Sequence, residues 1–293
     1  MSEAVSGGVA SWPGDQAAGL RRLFRVSLPQ VVAFASGREA CGRTTLLVRT
    51  AAALAAAGHG VLIIDENAAP NSAVSSFALG ARYDLMDVLK GERSLRQVML
   101  RAAPLLHILP AARAVRELDH ASRLAAAAHQ HLGACLEEMQ CDVGFILIDA
   151  ALRRGGHLSP LALAARHMAV VVTAQSTAIT HAYALIKRIA QERGRSDFQV
   201  AITRAKSREK ARAIFDNMRR VAREHLDVRL DYLGAALVPT TDNLAEALLT
   251  RLPPVGEDGS DSAFALPALG LAPGAATPPA AANAGAAALD SVV

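Results

Sequence analysis

Apolar residues come in short, nearly unbroken runs: Val31 to Ala35, Val61 to Ile64, Leu105 to Leu109, Phe145 to Ile148, Met168 to Thr173 and Phe198 to Ile202. A further run lies near Tyr232 to Val238. Runs of this length without polar alternation predict strands buried on both faces. Between them, helical spacing of apolar residues predicts helices at about 44 to 57, 85 to 90, 117 to 139, 177 to 193, 207 to 225 and 241 to 250. Strands alternating with helices predict an α/β fold whose mainly parallel sheet is covered on both sides, giving three layers.

The two ends break this pattern. Residues 1 to 14 are small and polar, punctuated by Gly7, Gly8, Pro13 and Gly14, and read as disordered. Asp15 then serves as an N-cap for a short amphipathic helix over 15 to 28, with Ala17, Leu20 and Phe24 on one face and Arg21, Arg22 and Arg25 elsewhere. That face packs on its own domain or lies in a partner's groove; the pattern alone allows both. Beyond the domain at 29 to 255, residues 256 to 293 form an Ala/Pro tail. Its uncharged part, Phe264 to Leu289, contains Pro267, Pro273, Pro278 and Pro279, so a disordered tail is expected rather than a spanning helix.

Composition changes this picture little. With 52% hydrophobic residues in 293, the chain can bury a large core, and a net charge of +4 tolerates an anionic partner without requiring one. Cys41, Cys135 and Cys141 make no CxxC pair and are odd in number, which points away from disulfides and zinc and toward a reducing, cytoplasmic setting. No basic segment followed by an apolar core opens the chain, so no secretory signal is expected.

The candidate chemistry lies at Ala35-Ser36-Gly37-Arg38-Glu39-Ala40-Cys41-Gly42-Arg43-Thr44-Thr45, between the first strand and its helix. A loop at a helix N-terminus offers backbone N–H groups to an anion, and phosphate loops add a Lys for the outer phosphates and a Ser/Thr hydroxyl for Mg²⁺. Ligands of such sheets bind outside the carboxyl ends of the strands, so Asp65 and Asp149 are expected near this loop. The competing role for each carboxylate is to cap the next helix.

Two stretches resemble one family. Asp15-Gln16-Ala17-Ala18-Gly19-Leu20-Arg21 is similar to the DQAxxLR arm of the FlhG/FleN flagellar-number regulators, a branch of the MinD/ParA class of P-loop ATPases. Thr177 to Lys187, TAITHAYALIK, differs from that branch's TAITDAYALIK only by His181. The segment Phe215 to Leu233 is also similar. The resemblance covers about residues 15 to 255 and implies a three-layer P-loop NTPase-like domain preceded by an amphipathic arm. It further implies that Asp15, Gln16, Ala17, Leu20 and Arg21 engage and stimulate an FlhF-like GTPase, with flagellar basal-body or regulatory proteins as further partners and a homodimer as an assembly. It implies a cytoplasmic protein at the cell pole or flagellar base, with Gly37, Arg38, Gly42, Arg43, Thr44 and Thr45 around ATP or ADP. Thr44, Asp65 and Asp149 would then meet Mg²⁺, and Asp65 and Asp149 would be the catalytic carboxylates.

The departures from the family pattern fall on that site. Arg38 and Arg43 stand where the family loop has Lys, Glu39 and Ala40 stand where it has Gly, and Asn67 stands where it has the water-positioning Asp. Arg is planar and bulky and does not replace a Lys point charge in a tight phosphate nest. A Glu39 carboxylate about 5 Å from a phosphate charge would repel it by roughly 3 kcal/mol at an effective dielectric near 20. Weak nucleotide binding, or none if Arg38 and Arg43 pair with Glu39 and close the loop, is therefore expected, with little or no hydrolysis. The alternatives are an active MinD-like ATPase that dimerises on ATP and a ParA-like protein that uses the basic helix at 207 to 225 on DNA. That helix lacks interleaved aromatics, so nucleic acid is not the expected partner, and the tail after Arg251 shows no amphipathic membrane helix.

Overall fold

The computed structural model describes residues 28–118, 126–140, 143–153, 155–237, 244–252 and 264. The arm at 15 to 28, with Asp15, Gln16, Ala17, Leu20 and Arg21, lies outside the described residues apart from Leu28, as does almost all of the tail.

Eight strands form one sheet: β1 (Gln30–Ala35), β2 (Val61–Asp65), β3 (Leu100–Ala103), β4 (Leu106–Pro110), β5 (Phe145–Asp149), β6 (His167–Thr173), β7 (Asp197–Ala205) and β8 (Arg229–Leu237). Their order is β3-β4-β2-β5-β1-β6-β7-β8, with every pairing parallel except β3 against β4. Strand β1 lies between β5 and β6, and its side chains alternate between two cores. Val31, Ala33 and Ala35 enter one core, and Val32 and Phe34 enter the other. Both faces are therefore buried, which is why these strands read as continuous apolar runs.

One face is covered by α1 (Arg43–Ala56), α2 (Ala73–Ser76) and α10 (Leu244–Arg251). The other is covered chiefly by α3 (Leu85–Leu89), α6 (Ala126–Gln140), α7 (Pro160–Ala164), α8 (Ser176–Arg193) and α9 (Arg208–Leu226). Two short helices, α4 (Leu95–Val98) and α5 (Ala112–Leu118), complete the set. Helix α1 is rich in Ala and Leu, strong helix formers, and buries Leu46, Leu47, Ala51 and Leu54.

Several elements depart from the expected pattern. The edge strand β3 was not legible because it is short, half-buried and irregular where it pairs with β4. Leu105, expected to begin a strand, instead sits in the connecting turn at φ 61° and is 47% exposed. The single helix expected over 117 to 139 is replaced by α5 and α6, with 119–125 outside the described residues.

Phe264 lies within the stretch expected to be a structureless tail. It is 2% exposed, packs in the core on the α8 face and forms an antiparallel bridge with Ala165. An aromatic side chain of this size is a large hydrophobic contribution that its Ala/Pro surroundings conceal. Phe264→Ala should lower unfolding stability by about 3–5 kcal/mol in urea denaturation of the full chain. A loss below about 1 kcal/mol, the range of a surface substitution, would show that the anchor is peripheral.

Candidate functional site

The ends of β1, β2 and β5 meet at one edge of the sheet. Asp149 is in register with Phe34 on one side and with Asp65 on the other, so both carboxylates stand beside the loop that leaves Ala35. The loop enters α1 through Gly42 at φ 78°, a left-handed conformation that suits glycine. Ala40 also has positive φ, at 59°. A left-handed Ala costs about 1–2 kcal/mol relative to a right-handed one, and this strain lies where the family loop has Gly.

Neighbours hold the loop in place. A Cβ on Gly37 would lie 2.3 Å from the backbone C and O of His181, so only glycine allows the loop to rest against α8. The stretch TAITHAYALIK is therefore the surface on which the loop lies. Arg38 is exposed and reaches the Thr177 hydroxyl at 3.5 Å. Ser36 donates to the Arg38 carbonyl, and the Thr203 hydroxyl on β7 donates to the Cys41 carbonyl at 2.9 Å. Cys41 is 3% exposed with its thiol directed at the Arg38 carbonyl, which makes it a packed loop residue.

The two arginines separate in role. Arg43 Nε donates to Asp149 Oδ1 at 2.5 Å, and the Thr44 hydroxyl donates to Asp149 Oδ2 at 2.6 Å. The Asp149 carboxylate is fully buried, and the Arg43 side chain is 11% exposed. Asn67 donates from its side-chain amide to the Thr44 hydroxyl at 3.3 Å. Asp65 accepts the backbone N–H of Asn67 at 3.1 Å and that of Val74 at 2.9 Å, beside the start of α2. Both carboxylates thus spend their oxygens on protein donors.

The expected Mg²⁺ contacts, Thr44, Asp65 and Asp149, are close together but already satisfied by one another, by Arg43 and by backbone amides. No group of three or more His, Cys, Asp or Glu able to hold a metal occurs among the described residues. In this arrangement Thr44 and Asp149 are bonded to one another and Asp65 to backbone amides. Arg43 likewise meets a buried carboxylate instead of a phosphate. A cavity of about 260 Å³ nevertheless remains beside the loop, lined by Gly42, Arg43, Thr44 and Thr45 with Glu39, Asn67 and Asn71.

Glu66 is the residue that sequence reasoning missed. It follows β2 and, by strand alternation, faces away from Asp65. It is 3% exposed; Oε1 accepts the Ser159 hydroxyl at 2.5 Å, while Oε2 has no hydrogen-bond partner among the described residues. Burial raises its pKa to about 7, against smaller opposing effects from the Ser159 hydroxyl, the Arg43 charge and the Ala151 amide; the Asp149 charge adds to the rise. Asp65 is raised to about 6, first by burial and then by the nearby Asp149 charge, against its two backbone N–H partners.

The model of the AAA domain family AAA_31 matches residues 29–202. The chain belongs to this family. It is 29% identical over 221 residues to the antiactivator FleN of Pseudomonas aeruginosa, covering 75% of this chain and 76% of that protein. It is 24% identical over 232 residues to the flagellum site-determining protein YlxH of Helicobacter pylori, covering 75% of this chain and 77% of that one. It is thus a homologue of the FleN/FlhG regulators. Among solved structures, the MinC:MinD cell division complex of Aquifex aeolicus superposes with a TM-score of 0.54 at 19% identity, covering 74% of this chain and 86% of that one. A putative plasmid partition protein of Borrelia burgdorferi bound to AMPPNP gives 0.55 at 15% identity, covering 77% and 100%. These last two establish the MinD/ParA-type fold of this AAA-family chain, which matches the expected architecture.

Glu66 makes stability depend on pH. Between about pH 4.5 and 7 the native carboxyl keeps a proton that the unfolded chain has released, so stability falls as pH rises through that window and stays lowered above it. Glu66→Gln should flatten this dependence and exceed the parent's stability by roughly 3 kcal/mol at pH 8. Thermal unfolding at pH 5 and pH 8 checks it; parallel pH profiles for parent and variant would contradict the assignment.

Proposed function

We propose that the chain regulates flagellar number or placement through protein contacts, with a phosphate loop that binds nucleotide weakly and turns it over little or not at all. The role rests on the FleN and YlxH similarities. The loop reading rests on the Arg43–Asp149 ion pair, which occupies the cation at the phosphate-binding position and a carboxylate expected at the metal. A nucleotide would have to break that pair. Drawing Arg43 off Asp149 would leave that buried carboxylate with only the Thr44 hydroxyl, a cost that subtracts from any phosphate affinity.

In this reading the arm at Asp15, Gln16, Ala17, Leu20 and Arg21 engages an FlhF-like GTPase and stimulates it, while the AAA-family domain supplies surfaces for basal-body or regulatory proteins or for a second copy. The setting is cytoplasmic, at the pole or flagellar base. Among the described residues no helix is long and apolar enough to cross a membrane.

Calorimetric titration with MgADP and MgATP should give weak or undetectable binding, and phosphate release should stay near the blank. Micromolar or tighter binding with steady release would replace this reading by a working ATPase. A peptide of residues 1 to 30 should raise the GTP turnover of an FlhF-like GTPase, and Gln16→Ala should abolish the rise. No stimulation by the parent peptide removes the arm hypothesis and leaves the loop result standing.

A further inference from the structure

The stretch from Arg82 to Arg96, which carries α3 and enters α4, lies outside the phosphate-loop site. Its exposed charged residues are Arg82, Lys90, Glu92, Arg93 and Arg96, four cations against one acid. The other two acids, Asp84 and Asp87, are buried and turned inward. Asp84 accepts the amides of Met86 and Arg113, and Asp87 accepts the Asp84 amide and the Arg113 guanidinium. Among the described residues, none of the four exposed cations forms an ion pair with a carboxylate. Two of them gather on Tyr83, which is half-buried and packs against the core. The Arg82 and Arg93 guanidiniums stand 5.4 and 4.6 Å from the centre of its ring. Arg93 also donates to the Tyr83 hydroxyl at 3.1 Å and to the Glu92 carbonyl at 3.0 Å.

We propose that Arg82, Tyr83 and Arg93 form a docking site for an acidic segment of a partner protein. Stacking holds a guanidinium in place without neutralising it, so two like charges share one ring with no acid between them. A carboxylate entering beside the ring relieves that repulsion. Arg pairs with carboxylates through two parallel N–H bonds, and Arg clusters are a recurrent way of reading acidic motifs. The Tyr83 hydroxyl accepts from Arg93 and keeps its own proton to donate to the same anion. The platform is rigid beforehand, since the next residue, Asp84, caps α3 and is tied to the start of α5. Little ordering therefore opposes binding. Tyr and Arg are also the residue types that concentrate binding energy at interfaces. A nucleic acid strand would want a series of stacking rings, and this stretch has one; α3 and α4 are too short to lie along a lipid surface. The proposal rests on the protein-contact reading of the chain and names one surface for it, apart from both arm and loop.

The test is fluorescence anisotropy of a labelled octaglutamate peptide titrated with the full chain at neutral pH and low ionic strength. Saturable binding that weakens as salt is raised is expected. Arg82→Ala and Arg93→Ala should each weaken it at least fivefold. Tyr83→Phe, which keeps the ring and loses the O–H, should weaken it at least twofold. Arg220→Ala removes one exposed charge on α9 that already pairs with Glu224, and should change affinity less than twofold. All four variants should melt close to the parent; if Arg93→Ala fails to fold, Arg82→Ala and Tyr83→Phe decide. No saturable binding, an Arg220→Ala loss equal to that of Arg93→Ala, or full affinity in both site arginine variants overturns the proposal. So does an octathymidine strand or a phosphatidylglycerol vesicle that binds the parent more tightly than the peptide and loses more affinity in Arg93→Ala. Failure here leaves the regulatory reading and the GTPase test of the arm standing, and failure of that GTPase test leaves this site standing.

Discussion

Asp149 has no exposed surface, so its charge must be met from inside the protein. An uncompensated carboxylate at that depth would cost several kcal/mol. Arg43 and Thr44, the first two residues of α1, meet it, and in doing so they tie the helix start to the end of β5. One interaction therefore sets the loop's exit, the orientation of α1 and the use of the single cation at the phosphate-binding position. Because guanidinium is planar and always charged, Arg43 suits a buried ion pair better than Lys would. The substitution at this position is as well explained by what it holds as by what it fails to bind.

The same edge carries more acid than base. Asp65, Glu66 and Asp149 are all buried within a few residues of the strand ends, and among the described residues Arg43 is hydrogen-bonded to Asp149. Protein interiors relieve such an excess by protonation, and Glu66 and Asp65 are both shifted in that direction. The site thus has two halves with opposite habits. Asp149 stays paired and forms part of the fold, while Glu66 has a buried oxygen with no hydrogen-bond partner among the described residues.

The loop itself is held from outside. Gly37 is pressed against the backbone of α8, and the Cys41 carbonyl is anchored by Thr203 on β7. These contacts come from elements far along the chain, and they keep Ala40 in a left-handed conformation that the isolated loop would avoid. They also give the stretch from Thr177 to Lys187 a structural duty, since its helix backbone at His181 and Ala182 is the surface against which the loop rests.

Fold class was legible because parallel strands buried on both faces leave unbroken apolar runs, and all seven predicted runs fall on strands of one sheet. The meeting of the β1, β2 and β5 ends followed from the same pattern, which placed Asp65 and Asp149 beside the loop. What failed locally was short or irregular: the edge strand β3, the break between α5 and α6, and Phe264 inside an Ala/Pro stretch. The residues of the loop could be read, but not their pairing. Charge partners are chosen across 105 and 106 positions of sequence, and no local pattern records that Arg43 and Thr44 turn inward to Asp149. Glu66 is the clearest case: beside two expected site residues it looked like a spacer, and only strand alternation, burial and the approach of Ser159 show it as a buried carboxyl with one oxygen unpartnered among the described residues. The sequence by itself determined the sheet and where its strands end. The tertiary structure decided which side chains at those ends are already occupied, because burial makes every polar atom find a partner or leave one wanting.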